Sequence, residues 1–145
     1  MNTLRVFNRL GFLVALAAAA ISLAAATSMV FGDEIKVTLS GGNEVPPVMT
    51  EAAGSGTVMI NSDMTVSGSV MTTGIAGTMA HIHQGAAGKN GPVIIKLSKD
   101  GDHGWMVPAG AKLTDAQYQA YKAGELYINV HSAANKGGEI RGQLK

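Results

Sequence analysis

From Ile35 onward the chain runs in short segments that alternate apolar and polar residues, each interrupted by Gly, Asn, Asp or Pro. Alternation with a period of two buries one face of an extended strand and leaves the other face polar. A series of such segments separated by turn residues specifies an all-β fold, expected here as an antiparallel β-sandwich. Residues 35–39 read as the first strand, and Gly41-Gly42-Asn43 turns the chain into Glu44-Val45-Pro46-Pro47-Val48. Two prolines exclude a central strand there, which leaves an edge or a crossing loop. Residues 56–60 and 64–71 read as a hairpin joined across Asn61-Ser62-Asp63. Strands are expected at 79–83, 92–97, 125–131 and 138–144, with a Gly-rich loop at 84–91 and a polar loop at 99–104. One short helix is expected, because Thr114 and Gln117 have the spacing of a capping box and Gly124 is a good stop. Ala116, Ala120 and Tyr121 would form its narrow apolar stripe.

The N-terminus has a different composition. Arg5 and Arg9 precede an apolar run from Leu10 to Ala26 that ends in small alanines, the pattern of a cleaved secretory leader. The run approaches the length of a membrane anchor, but its alanine richness and small-residue end point to cleavage. The expected organisation is a leader at 1–26, a short linker at 27–34 and a single domain at 35–145. The product would be secreted or periplasmic and not embedded in a membrane. Without Arg5 and Arg9 the 11 basic residues fall to nine against ten acidic ones, a formal net charge of −1. That balance, with no basic run, argues against nucleic acid as a partner. The lack of cysteine excludes disulfides and thiolate-bound zinc.

Ala80-His81-Ile82-His83 and Asn129-Val130-His131 carry the clearest chemistry. On strands, His81 and His83 share one face, and Asn129 and His131 share one face. If Ile82, Ile128 and Val130 face the core, three imidazoles emerge on the polar side. Imidazole nitrogen suits copper or zinc, and a three-histidine set leaves a position open for water or substrate. On the closing segment Glu139, Arg141 and Gln143 share a face, with Ile140 and Leu144 on the other. Glu139 can serve as a fourth ligand or orient a histidine, with Asn129 and Arg141 as outer supports. The competing reading is a solvated polar face with Glu139 and Arg141 in an ordinary salt bridge. Binding through free imidazoles should weaken below about pH 6.5. His103 reads as a solvated loop residue, Glu44 as a fixed turn position, and Met59, Met71 and Met79 as core filler. Trp105 and Tyr127 read as core or rim aromatics.

Three stretches, in order, resemble the CHRD domain first described in chordin. They are Leu39-Ser40-Gly41-Gly42-Asn43-Glu44-Val45-Pro46-Pro47-Val48, the Ala80–Gly85 motif followed by Asn90-Gly91-Pro92-Val93, and Tyr127–Ser132 followed by Gly138–Leu144. The resemblance implies a secreted β-sandwich module and names no reaction. The histidine strand and the glycine-rich ending are also similar to copper–zinc superoxide dismutase. This chain lacks that enzyme's histidine-rich zinc loop, its cysteine pair and enough histidines for two metals, which argues against superoxide dismutation. Together the likenesses imply an immunoglobulin-like or superoxide-dismutase-like sandwich with one short helix. The expected function is a non-enzymatic binding module with a transition-metal site. The alternatives are an adhesive module, whose partner would be an extracellular protein or glycan, and a metalloenzyme with an open three-histidine site.

Overall fold

The computed structural model describes residues 31–145, so the expected leader at 1–26 lies outside the described residues. The fold is all-β with one short helix, as the alternation requires. Its strands are β1 (Gly32–Ser40), β2 (Ala53–Asn61), β3 (Val66–Thr73), β4 (Gly77–Gln84), β5 (Val93–Lys96), β6 (Ser98–Asp100), β7 (Gly104–Met106), β8 (Leu126–Ser132) and β9 (Ile140–Leu144). The helix α1 spans Asp115–Lys122. β1 begins at Gly32, so residues 32–34 of the expected linker pair with β2. The expected hairpin is present as β2 and β3. No helix among the described residues is long and apolar enough to cross a membrane.

The strands form a single antiparallel sheet in the order β5-β4-β8-β9-β1-β2-β3-β7-β6. The two ends of that order, β5 and β6, are separated along the chain by Leu97 alone. The sheet therefore curls until its edges meet. At the seam the Leu97 amide donates to the Ala80 carbonyl at 2.9 Å, and the Lys99 ammonium donates to the Gly77 carbonyl at 3.1 Å. Closure of this kind removes exposed edges, and it places one apolar core inside. Ile35, Val37, Leu39, Val58, Ile60, Val70, Ile82, Ile128, Val130 and Ile140 all belong to that core.

Two local expectations change. The polar stretch 99–104 is not merely a loop, because β6 and β7 pair across it as a three-residue-strand hairpin. β6 is exposed throughout, so no alternation of apolar residues marks it. The helix is capped as expected: the Thr114 hydroxyl accepts from the Gln117 amide at 3.2 Å, and Gln117 Oε1 accepts from the Thr114 amide at 2.9 Å. Its buried side is Ala120 and Tyr121, while Ala116 faces solvent.

β8 is central to the layout, because it lies between β4 and β9 and is buried along its whole length. Leu126, Ile128 and Val130 enter the core, and Tyr127, Asn129 and His131 point to the opposite face. Truncating Ile128 to Ala should cost about 2–5 kcal/mol, against about 1 kcal/mol for removing the cap with Thr114→Ala. Urea denaturation of both variants checks the ranking.

Candidate metal centre

The outer face of β4, β8 and β9 carries His81 and His83, Tyr127, Asn129 and His131, and Arg141 and Gln143. Register sets His81 opposite Asn129, His83 opposite Tyr127, Asn129 opposite Arg141 and Tyr127 opposite Gln143. This face is polar, but it is not solvated. His81, His83, Asn129, His131 and Arg141 are all buried, with Arg141 only 1% exposed. Segments 85–91, 43–48 and 133–138 supply the cover: Arg141 bonds to the first, Asn90 links the first to the second, and His131 bonds to the third.

One ligand nitrogen from each of His81, His83 and His131 lies within 4.8 Å of the others. The ring centroids are 5.5 Å apart for His81–His83, 4.9 Å for His81–His131 and 6.3 Å for His83–His131. Backbone carbonyls assign the tautomers. His83 Nδ1 is 2.8 Å from the Gly91 oxygen, and His131 Nδ1 is 2.8 Å from the Lys136 oxygen. A carbonyl only accepts, so both Nδ1 atoms donate and both Nε2 atoms keep a lone pair. The His131 lone pair meets His81 Nδ1 at 3.0 Å, and His81 therefore donates in the neutral pair. His83 Nε2 is buried with no partner.

Two more buried acceptors lack partners on this side of the sheet, Asn129 Oδ1 and Glu44 Oε1. Asn129 interacts with both His83 and Glu44, so the three orphans belong to one neighbourhood. A Cβ on Gly138 would strike both Glu44 Oε1 and Asn129 Nδ2. The glycine, at φ +130°, leaves the room in which those groups meet. Unpaired buried acceptors are costly, and a cation is the species that satisfies several at once.

Burial sets the protonation states. It pushes His81 down to about 4, helped by the positive charge that His131, His83 and Lys96 would present to a protonated ring. Burial also lowers His83, against the Gly91 hydrogen bond and the attraction that the Asn129 side chain would exert on a protonated ring. Both rings are thus neutral at pH 7, the form that ligates metal. Protons compete for them at a lower pH than the 6.5 of a free imidazole. Glu44 is pushed up by burial, against the pull of Asn129 and Arg141.

Some other residues fall differently from their sequence reading, while His103 agrees with it. Glu139 lies outside the three-histidine group; its Oε1 accepts from the Thr50 hydroxyl at 2.7 Å. Hydrogen bonds from Ser132, Thr50 and Asn135 hold its carboxyl below the usual range. Arg141 does not pair with Glu139. Its NH2 donates to the Ala86 and Lys89 carbonyls at 3.0 and 2.9 Å, and its guanidinium carbon sits 3.4 Å from the Tyr127 ring centroid. Tyr127 also stacks on His83, with centroids 4.7 Å apart and planes 5° from parallel. Alternation along β8 places Tyr127 on the histidine face, which is the sequence signal for it. Glu44 is buried at the site, although its sequence marks only a turn. His103 is exposed in the β6–β7 turn and away from the three imidazoles. Met59, Met71 and Met79 are exposed rather than core, because they alternate onto outward faces.

The stretches that meet here are the three noted in the sequence: Glu44 from the first, His81, His83, Asn90 and Gly91 from the second, and Tyr127, Asn129, His131 and Arg141 from the third. The family model of the CHRD domain matches residues 35–144. The chain belongs to the CHRD domain family. No curated protein and no solved structure matches it. In this CHRD domain the separate motifs are the walls of one buried polar site.

The neutral histidines make stability depend on pH. Unfolded, they take up protons near pH 6.5, whereas the folded state resists protonation of His81 until about 4. Their contribution is complete above pH 6.5 and declines as pH falls toward 4, because the unfolded state binds more protons. Metal-free protein should lose urea resistance across that window, and His81→Gln should flatten the loss. An equally steep decline in the variant would count against the assignment.

Proposed function

We propose that this CHRD domain is a secreted, non-enzymatic binding module that holds a transition metal, copper or zinc, through His81, His83 and His131. Two observations together carry the reading: His83 Nε2 is buried without a partner, and one ring nitrogen from each of the three histidines lies within 4.8 Å of the others. Ligand distances support it. Two imidazole nitrogens on one zinc, each about 2.0–2.1 Å from it at a tetrahedral angle, stand about 3.3 Å apart. His81 Nδ1 and His131 Nε2 are 3.0 Å apart, so a small movement, with the His81 proton shifting from Nδ1 to Nε2, exchanges their hydrogen bond for two metal bonds.

Gly91 and Lys136 support the ligands by fixing the His83 and His131 tautomers through their carbonyls. Asn129 and Arg141 are the supporting residues around them. The leader-like sequence at 1–26 supports secretion. A second reading, a metalloenzyme, has one observation in its favour. A cleft of about 610 Å³, lined in part by Glu44, Arg141 and Gln143, opens beside the site. Nothing in those walls forms a nucleophile with its base, so binding is the stronger reading.

Elemental analysis of untagged protein, followed by titration with zinc and copper at pH 7, tests the proposal. Near-stoichiometric metal is expected, and it should disappear in the combined variant His81→Ala, His83→Ala, His131→Ala. A folded wild-type protein that takes up neither metal overturns the proposal and favours an adhesive module.

A further inference from the structure

β4 presents Met79, His81 and His83 in alternation on one face, and from Met79 onward its register with β8 is unbroken. That register sets Met79 directly opposite His131. His81 is opposite Asn129, so it reaches His131 only along the diagonal. Directly opposed residues have Cβ atoms about 4.5–5.5 Å apart, whereas diagonal neighbours are about 7–8 Å apart. The diagonal pair nevertheless brings ring nitrogens to 3.0 Å. Met79 is nearer to His131 in register and has an unbranched side chain with three rotatable bonds, so its thioether has the reach to join them.

Met79 is 48% exposed, while the three histidines beside it are buried. It is therefore not spent on core packing, and it stands at the solvent side of the cluster. A thioether is a soft donor that selects copper(I), whereas zinc(II) is well served by imidazole and carboxylate. The charge of the surroundings points the same way. The group consists of three imidazoles with no carboxylate among them, and Arg141 and Lys96 add positive charge nearby. A buried divalent ion with no anionic ligand is harder to accommodate than a monovalent one.

Building on the three-imidazole reading above, we infer that Met79 supplies its sulfur as a fourth ligand and that the centre takes copper(I) in preference to zinc(II). The test is anaerobic competition for copper(I) against bathocuproine disulfonate, with zinc(II) competition run in parallel. It compares wild type, Met79→Leu, and Met59→Leu as an exposed methionine four strands away in the sheet order. Met79→Leu should weaken copper(I) binding at least about tenfold and leave zinc(II) within about twofold, with Met59→Leu changing neither. Unchanged copper(I) affinity in Met79→Leu, or an equal loss for both metals, overturns the role of Met79 while the histidine site stands. Wild type that prefers zinc(II) overturns the copper assignment. Wild type that binds neither metal removes the three-imidazole reading as well.

Discussion

The Arg141 guanidinium is the interaction on which the rest of the site depends. It is a buried charge whose hydrogen bonds go to neutral acceptors, the Ala86 and Lys89 carbonyls and, at longer range, Asn90 and Gln143. Such a charge tolerates burial only if several dipoles are held against it. The 85–91 segment provides them and is thereby clamped over the outer face of β8 and β9. Clamping that segment places the Gly91 carbonyl against His83 Nδ1, which leaves the His83 Nε2 lone pair buried without a partner. Gln143 adds to the clamp by donating to the Gly85 and Gly124 carbonyls, both at 2.8 Å.

The consequence is a protein with two interiors. Inside the curled sheet is an ordinary apolar core, and outside β4, β8 and β9 is a second, polar one roofed by loops. The polar interior is stabilised by fixed carbonyls and by stacking on Tyr127, yet it retains three acceptors without donors. Natural interiors rarely keep such groups without a use for them. Under the proposed reading a cation would satisfy those acceptors, and the carbonyl-fixed tautomers of His83 and His131 would leave little to reorganise when one binds.

How much of this was legible in the sequence varied with the kind of question. Alternation disclosed the β2–β3 hairpin, the strands carrying the histidines and the shared face of His81 with His83, because side-chain direction follows from period two alone. The capping box around α1 was equally local. The burial of that face was not legible. Periodicity says which residues lie together but not whether a distant loop covers them. Arg141 therefore looked like a surface partner of Glu139, and Glu44 looked like a turn residue, until the path of the 43–48 and 85–91 segments was known. The three methionines on strands depart from the core assignment for a related reason: an apolar residue on an outward face satisfies the same alternation as one in the core. Closure of the sheet depends on a seam at Leu97 that no local pattern announces.

The central claim is that backbone carbonyls fix the His83 and His131 tautomers, so that their Nε2 lone pairs are left to ligate a metal beside His81. Long-range proton–nitrogen NMR of the imidazole side chains at pH 7, before and after stoichiometric zinc, tests it most directly. The account predicts His83 and His131 as Nδ1–H tautomers in the metal-free protein, with their Nε2 signals moving to metal-bound positions on addition. Tautomers that average rapidly, or Nε2 signals indifferent to the metal, would contradict it.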